Sequence, residues 1–546
     1  MRAAALLSAL LAAPAALAAS ASDWQSRTIY QLVTDRFATT DGSGPACDTS
    51  DRVYCGGTWQ GVINKLDYIQ GMGFDAIWIS PVVKNLEGNT TEGQAFHGYW
   101  TQDPTQLNQH FGSESDLQAL STALHKRGMY LMVDVVINHL AAPTNPPQYT
   151  SLYSAPFNTD SSFHNECFIN ATDYPNPPVY AGNQTRVEQC WLGDNNLPLA
   201  DINTENQDLV NFWYNWVANM TKTYSIDGLR IDTVKHVRQD FWTGFSQNAG
   251  VWCVGEVLAN ETQYVGPYTK FLPAVLDYPT WFPLINGFMT PQGNLSAIAD
   301  TVQQTQSTYG NGSYNGNVLA SFLENHDQPR FGGQTQDQSL IMNAMAWPFV
   351  QDGIPIMYYG QEQAYSGGAD PANREALWLS GYETDKPLVK HAMALNAARK
   401  AAANASSSFY STPIKFLQNT GTQLAVSKPP LLALLSNQGS SSSPQWSVAS
   451  AGYKANEDLV DVVSCTKVTA DSNGGVSTTA QSGKPVVLVP ASALPKSGSV
   501  CQSLATGNGT STTNQSSAAA PRAGLHWTSL AAALGVAAFI AKVVVA

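Results

Sequence analysis

Short runs of β-branched and aromatic residues recur along the chain, separated by stretches with apolar positions at helical spacing. The runs fall at residues 29–32, 76–79, 130–137, 228–231, 251–257, 318–323 and 354–359, and the clearest helical stretches at 115–127 and 209–224. Strand alternating with helix predicts a parallel sheet. About eight such units over ~380 residues predict an α/β fold, a (β/α)8 TIM barrel carrying insertions. Two stretches break the alternation. Between His139 and Asp201 the chain holds Pro, Asn, Tyr and two cysteines but no strand–helix unit, which predicts a small inserted domain after the third strand. Beyond about residue 405 the pattern turns to Ser, Val, Leu and Gly with runs at 431–435 and 486–489, which predicts a separate C-terminal all-β domain, a β-sandwich. The expected division is a barrel built from residues 23–139 and 203–405, an inserted domain over 140–202 and the sandwich over 406–504.

Both ends of the chain read as processing signals. Arg2, the apolar residues 3–13 and Ala16-Leu17-Ala18 make a secretory leader over residues 1–18. After Cys501 a Gly/Ser/Thr/Asn-rich linker runs to Ser517, followed by Pro521, Arg522 and an apolar tail over 530–546. That layout, over 505–546, predicts a glycosylphosphatidylinositol-anchor signal with small residues at 514–517 as attachment candidates, and so membrane or cell-wall attachment. Sequons at Asn89, Asn170, Asn183 and Asn219 fit a secreted, extracellular glycoprotein. In that oxidising setting seven cysteines should bridge and leave one over. Neighbourhood pairs Cys47 with Cys55, Cys167 with Cys190 and Cys465 with Cys501, and leaves Cys253 as a buried thiol in an apolar run. Charged residues make up only 13% of the 546, and the net charge is −13. Phosphate-neutralising basic patches are therefore missing, which excludes nucleic acid as a partner. A neutral ligand such as a sugar fits.

Catalytic groups of a parallel barrel sit at the C-terminal ends of its strands. Here four strand ends turn polar: Asp134 to His139 after the third, Arg230-Ile231-Asp232 with Lys235-His236 after the fourth, Glu256 after the fifth, and Glu324-Asn325-His326-Asp327 after a later one. One such Asp or His alone reads as a cap or a loop hydrogen-bonder; four in one order do not. Arg230 and Asp232 are two apart, so a strand projects both to one face. The guanidinium then keeps Asp232 ionised, as a sugar nucleophile must be. Glu256 emerges on the neighbouring strand, ~4.8 Å away, which brings two carboxyls toward the ~5–5.5 Å spacing of retaining glycosidases. Asp327 supplies a third carboxylate across the mouth.

These four ordered motifs, with Phe96-His97-Gly98-Tyr99-Trp100, Gly360-Gln361-Glu362 and Asp370 to Glu375, resemble glycoside hydrolase family 13, and its fungal secreted α-amylases in particular, from about Trp24 to Cys501. The resemblance implies Asp232 as nucleophile, Glu256 as acid/base and Asp327 as the third catalytic carboxylate. It implies substrate contacts from His97, Tyr99, Trp100, His139, Arg230, Lys235, His236, His326, Asp370 and Arg374. It also implies a structural Ca2+ held by Asn138, Glu188, Asp201 and the main-chain carbonyl of His236, all hard oxygen donors. The implied reaction is endo-acting, retaining hydrolysis of α-1,4-glucosidic bonds in starch, glycogen and maltooligosaccharides by a monomer. Two other readings stand beside it: a 4-α-glucanotransferase acting on cell-wall-related α-glucan, and a non-catalytic, wall-anchored glucan-binding protein. Three departures from the family pattern bear on subsites and robustness. Asn203 ends the stretch Leu199 to Asn203 where the family writes Asp, Gly266 stands where close relatives carry a cysteine, and the loop around Glu92 lacks an aromatic.

Overall fold

The computed structural model describes residues 19–174, 182–310, 314, 316, 318–496 and 500–506. The leader and the anchor signal expected from the sequence lie outside the described residues. Eight parallel strands close a barrel: β1 (Ile29–Gln31), β2 (Ala76–Ile79), β3 (Tyr130–Val135), β4 (Gly228–Ile231), β5 (Trp252–Gly255), β6 (Ala274–Leu276), β7 (Leu319–Phe322) and β8 (Ile354–Tyr358). Each pairs with its sequence neighbours, and β8 returns to β1. Seven of the eight match the apolar runs read from sequence. The sixth, Ala274–Leu276, is only three residues long and had no visible signal.

The helices between them follow local chemistry. Gln207–Thr223 starts at Asn206, whose side chain accepts from the Asp208 N–H, and buries Leu209, Val210, Trp213, Trp216, Val217 and Met220 on one stripe. Glu114–His125 opens with a capping box between Ser113 and Asp116. At the foot of the barrel Trp24 stacks on Trp252 at 5.2 Å, and a side chain at Gly228 would meet the Trp24 ring at 2.5 Å. Only glycine lets β4 pass there.

Two further units are built onto this frame. After β3 the chain makes a three-stranded antiparallel sheet from His139–Ala141, Pro198–Asp201 and Leu192–Gly193, with Cys167 and Cys190 bridged. Beyond the barrel, residues 415–490 form a six-stranded antiparallel sheet. Leu424, Val426, Leu431, Ala433 and Leu435 join the barrel's core, while Ala425, Leu432 and Leu434 pack with Trp446 and Val476 of a separate two-stranded ribbon. The second layer expected of a sandwich is thus reduced to that ribbon, and the barrel covers the other face. Disulfides link Cys47 to Cys55 and Cys465 to Cys501 as neighbourhood suggested, and Cys253 is a buried free thiol. Among the described residues no helix is long and apolar enough to cross a membrane.

Candidate active site

Register brings the acidic residues together. Asp134 sits opposite Arg230, and Ile231 opposite Gly255. Asp232 and Glu256 each extend the ladder one step, with Asp232 N–H donating to Val135 O and Glu256 N–H to Ile231 O, both at 2.9 Å. Adjacent carboxyls therefore emerge at one level. Buried Arg230 binds them all. Its Nη1 donates to Asp134 Oδ1 (3.0 Å) and Asp232 Oδ1 (2.8 Å), and its Nη2 lies 2.9 Å from Glu256 Oε2. Thr233, left-handed at φ 50°, folds back over them. Its N–H donates to Glu256 Oε2 at 3.0 Å and its hydroxyl to Asp232 Oδ2 at 2.9 Å.

One guanidinium cannot neutralise three acids. Burial pushes the Glu256 carboxyl up to about 7; Arg230 opposes the rise, and Asp232 and Asp327 add to it. Asp134 is pushed up to about 7 and Asp327 to about 6, again mainly by burial. Asp134 is steadied by donors from Tyr99 Oη (2.7 Å) and Trp78 Nε1 (3.1 Å).

Across the mouth, His326 Nε2 lies 3.2 Å from Asp327 Oδ1 while Gln31 Nε2 donates to its Nδ1 at 2.8 Å. The Nε2 proton therefore faces the carboxylate. Arg374 Nη2 approaches Asp327 Oδ1 at 3.6 Å and Arg374 Nη1 approaches Asp370 Oδ1 at 2.9 Å. The Tyr99 ring stacks on His326 with centroids 5.0 Å apart, and His97 packs edge-on to Trp100 at 4.6 Å. His139 Nε2 donates to Tyr99 O at 3.1 Å. Burial lowers the pKa of His97, His139 and His326, so all three are neutral donors near pH 7. Lys235 sits further round, its ammonium on Leu258 O at 2.8 Å and over the Tyr174 ring at 4.3 Å.

A family model for the α-amylase catalytic domain matches residues 31–462. An α-amylase of Saccharomycopsis fibuligera is 42% identical over 473 residues, covering 86% of this chain and 93% of its own. Alpha-amylase 1 of Lipomyces kononenkoae is 49% identical over 381 residues, 70% of this chain and 59% of its own. The chain belongs to the α-amylase family. It is a glycoside hydrolase with α-amylase activity. A solved α-amylase from Malbranchea cinnamomea superimposes with a TM-score of 0.83 at 42% identity, covering 88% of this chain and all of that one (100%).

Three of the four oxygen donors that the family resemblance implies for calcium, from Asn138, Asp201 and the His236 carbonyl, lie together. The amide tip of Asn138 lies 3.0 Å from Asp201 Oδ1 and 2.8 Å from His236 O, and with its nitrogen turned inward it donates to both. With its oxygen turned inward instead, the amide would join the Asp201 carboxylate and the His236 carbonyl as a set of hard oxygen donors, so these residues fit calcium. Glu188 adjoins them: the carbonyl of its neighbour Val187 accepts from His236 Nδ1 at 3.0 Å, and its own Oε1 accepts from Gln184 Nε2 at 2.7 Å. Among the described residues no cluster of three or more His, Cys, Asp and Glu side chains forms a metal site; this set draws on an amide and a carbonyl instead.

Sequence reasoning missed several supporting residues. Gln31, Trp78, Thr233 and Asn325 orient the acids or their partners, and His164 bridges Asp201 (2.6 Å) and Glu205. The signals available were a polar Gln closing the run Ile29-Tyr30-Gln31 and the place of Asn325 in the polar end Glu324 to Asp327.

Proposed function

We propose that the protein cleaves internal α-1,4-glucosidic bonds of starch-like glucans with retention of configuration. Asp232 attacks the anomeric carbon and forms a covalent glucosyl-enzyme. Glu256 gives its proton to the leaving oxygen, then takes one from the incoming water, which releases the sugar. The observation that carries this reading is the Arg230 clamp. It grips both carboxyls from adjoining strands while burial keeps a proton on Glu256 near neutral pH. Asp327, flanked by His326 and Arg374, binds sugar hydroxyls and favours the distorted ring. Neutral His326 donates a hydrogen bond that strengthens as charge develops, and His139, whose Nε2 proton is held by Tyr99 O, positions the Tyr99 ring against the sugar. His97, Tyr99, Trp100 and Asp370 line the sugar's bed, with the apolar C–H faces against the rings. Lys235 and His236 serve the leaving side.

Asn138, Glu188, Asp201 and the His236 carbonyl would hold calcium, whose role is to cross-link the barrel and the excursion after β3. Three disulfides and exposed sequon asparagines at 89, 170, 183 and 219 support export, and the sequence beyond residue 505 supports anchoring at the cell surface. The test is product analysis on starch and maltoheptaose with NMR of the first anomer released. Shorter α-anomers are expected, and Glu256→Gln should lose roughly 10²–10⁴-fold in kcat. A β-anomer released first rejects retention. Products longer than maltoheptaose assign a transferase instead.

A further inference from the structure

A glutamine outside all four polar strand ends stands behind the histidine that faces Asp327. Gln31 closes β1, in register with Trp78 of β2 and Tyr358 of β8. Side chains alternate along a strand, so Tyr30 turns outward, where its hydroxyl donates to Glu362, and Gln31 turns into the barrel. There it is buried, and its Nε2 donates to His326 Nδ1 at 2.8 Å. Its Oε1 is buried without a hydrogen-bond partner among the described residues. A half-satisfied amide in a dry place costs stability relative to an apolar side chain of the same size. Packing therefore does not account for Gln31, whereas the bond to His326 does.

The imidazole it holds has little freedom. Tyr99 stacks on the ring at 5.0 Å and Trp78 meets it edge-on at 6.2 Å. With the plane fixed, only the protons can move. His326 Nε2 lies 3.2 Å from Asp327 Oδ1. A neutral ring protonated on Nδ1 would turn a bare Nε2 lone pair toward that carboxylate, acceptor against acceptor. A ring protonated on both nitrogens would need an acceptor at Nδ1, where the Gln31 amide presents an N–H. Burial, Arg374, Arg230 and His97 also oppose the cation, against the Asp327 carboxylate that draws one in. The arrangement that joins every donor to an acceptor is the neutral ring with its proton on Nε2.

We propose that Gln31 is a positioning residue for the reaction: it occupies the Nδ1 lone pair of His326, pins the ring's single proton on Nε2, and so keeps a neutral donor rather than a cation at the cleavage point. The transition state has oxocarbenium character, with positive charge on the sugar ring. An imidazolium beside it would oppose that charge, while a neutral N–H still donates to a sugar hydroxyl. This rests on the hydrolytic reading above and adds to it the residue that sets the histidine's protons.

The experiment reads the His326 ring nitrogens by NMR of 15N-histidine-labelled protein at about pH 6, close to the ordinary histidine pKa. The signals that vanish in His326→Gln assign them. Wild type should show two unlike nitrogens with the proton on Nε2. Gln31→Glu keeps the size of the side chain but puts an acceptor at Nδ1, so its ring should carry both protons. Gln31→Met removes the donor, and its ring should take up the second proton at higher pH than wild type does. At the same pH kcat should fall about three- to tenfold in Gln31→Met, the effect of one hydrogen bond, and further in Gln31→Glu. KM should change little, because the loss falls on the transition state. The acid limb of kcat in Gln31→Glu should move up by about one to three pH units, so raising the pH recovers part of its activity. A packing role would lower activity at every pH alike and leave the ring's protons unmoved. Should Gln31→Glu fail to fold, Gln31→Met carries the test. A wild-type ring protonated on Nδ1 or on both nitrogens overturns the proposal, as does a folded variant in which the ring's protons or kcat match wild type. A wild-type protein that releases no sugar from maltoheptaose overturns the hydrolytic reading instead, and the ring's protons still decide this one.

Discussion

Arg230 is the residue on which the site's charges are balanced. It is fully buried, and three carboxylates share its two η nitrogens. Burial, opposed only by that shared guanidinium and reinforced by Asp232 and Asp327, leaves Glu256 protonated up to about 7, well above an ordinary glutamate. An acid catalyst needs that proton, so kcat/KM should stay high on rising through pH 5 and 6 and then fall about tenfold per unit above roughly pH 7. A pH–rate profile with its alkaline limb near 4–5 would contradict this. The same shift has a stability sign. The folded Glu256 binds its proton more tightly than the unfolded chain, so stability from this group is fully present below about pH 4 and declines as pH rises to about 7. At this scale the sequence was half legible. Arg230 and Asp232 lie two apart on a strand, and spacing alone puts them on one face. Thr233 gave no sign, because its role depends on a left-handed turn that no composition rule assigns to threonine.

Elements were legible where apolar runs were long and hidden where they were short or contained proline. Strand β6 has three residues between Pro273 and Asp277, too few for any period to appear. Helices Tyr278–Phe288 and Gln338–Val350 contain Pro283 and Pro348, residues that on sequence rules break a helix. Leu431–Ser436 looks like a fully apolar run because both its faces are covered, one by the barrel and one by the ribbon. The sheet is also pinned to the barrel by a buried charge pair. Lys428 Nζ lies 2.7 Å from Asp352 Oδ1, with 1% and 2% of the side chains exposed. Asp352 also accepts from Ile414 N–H and Tyr314 Oη. Removing one partner leaves the other charged in a dry place, so Asp352→Ala or Lys428→Ala should cost about 3–5 kcal/mol in denaturant melts. Replacing both by apolar residues of similar volume should recover most of that loss. A single variant within 1 kcal/mol of wild type, at roughly the level of an exposed pair, would show that the pair is solvated in solution.

The molecule as a whole is one barrel with two attachments. Both share the barrel's apolar core, the C-terminal sheet through Leu424, Val426 and Leu431 and the excursion after β3 through Tyr153, Phe157, Phe163, Trp191 and Ile202, and the excursion also meets the barrel through polar groups. Asn138 follows β3 and His236 follows β4, while Asp201 ends a strand of the three-stranded sheet and Glu188 lies on the helix Gln184–Gln189. The polar tips of Asn138, Asp201 and the His236 carbonyl meet at that junction, and His164 fixes the outer oxygen of Asp201 at 2.6 Å. A cation bound there links the two units and is bound only when both are folded, so its binding energy adds to stability as RT ln(1 + [L]/Kd). At a thousand times Kd that is about 4.1 kcal/mol. Thermal melts should therefore drop on EDTA treatment and recover with calcium. Magnesium should substitute poorly, because it demands a tighter octahedron than an amide, a carbonyl and two carboxylates on separate elements supply. Asp201→Asn removes one ionised ligand and should flatten the calcium dependence while leaving Asp232 and Glu256 on their strands. Since the same junction sets the position of His236 and, through β3, of His139 and Asp134, activity should fall with calcium before the barrel itself unfolds. Equal melting of wild type in EDTA and in calcium would remove the cation from this account and leave Asn138 as a flipped amide donating to Asp201 and His236.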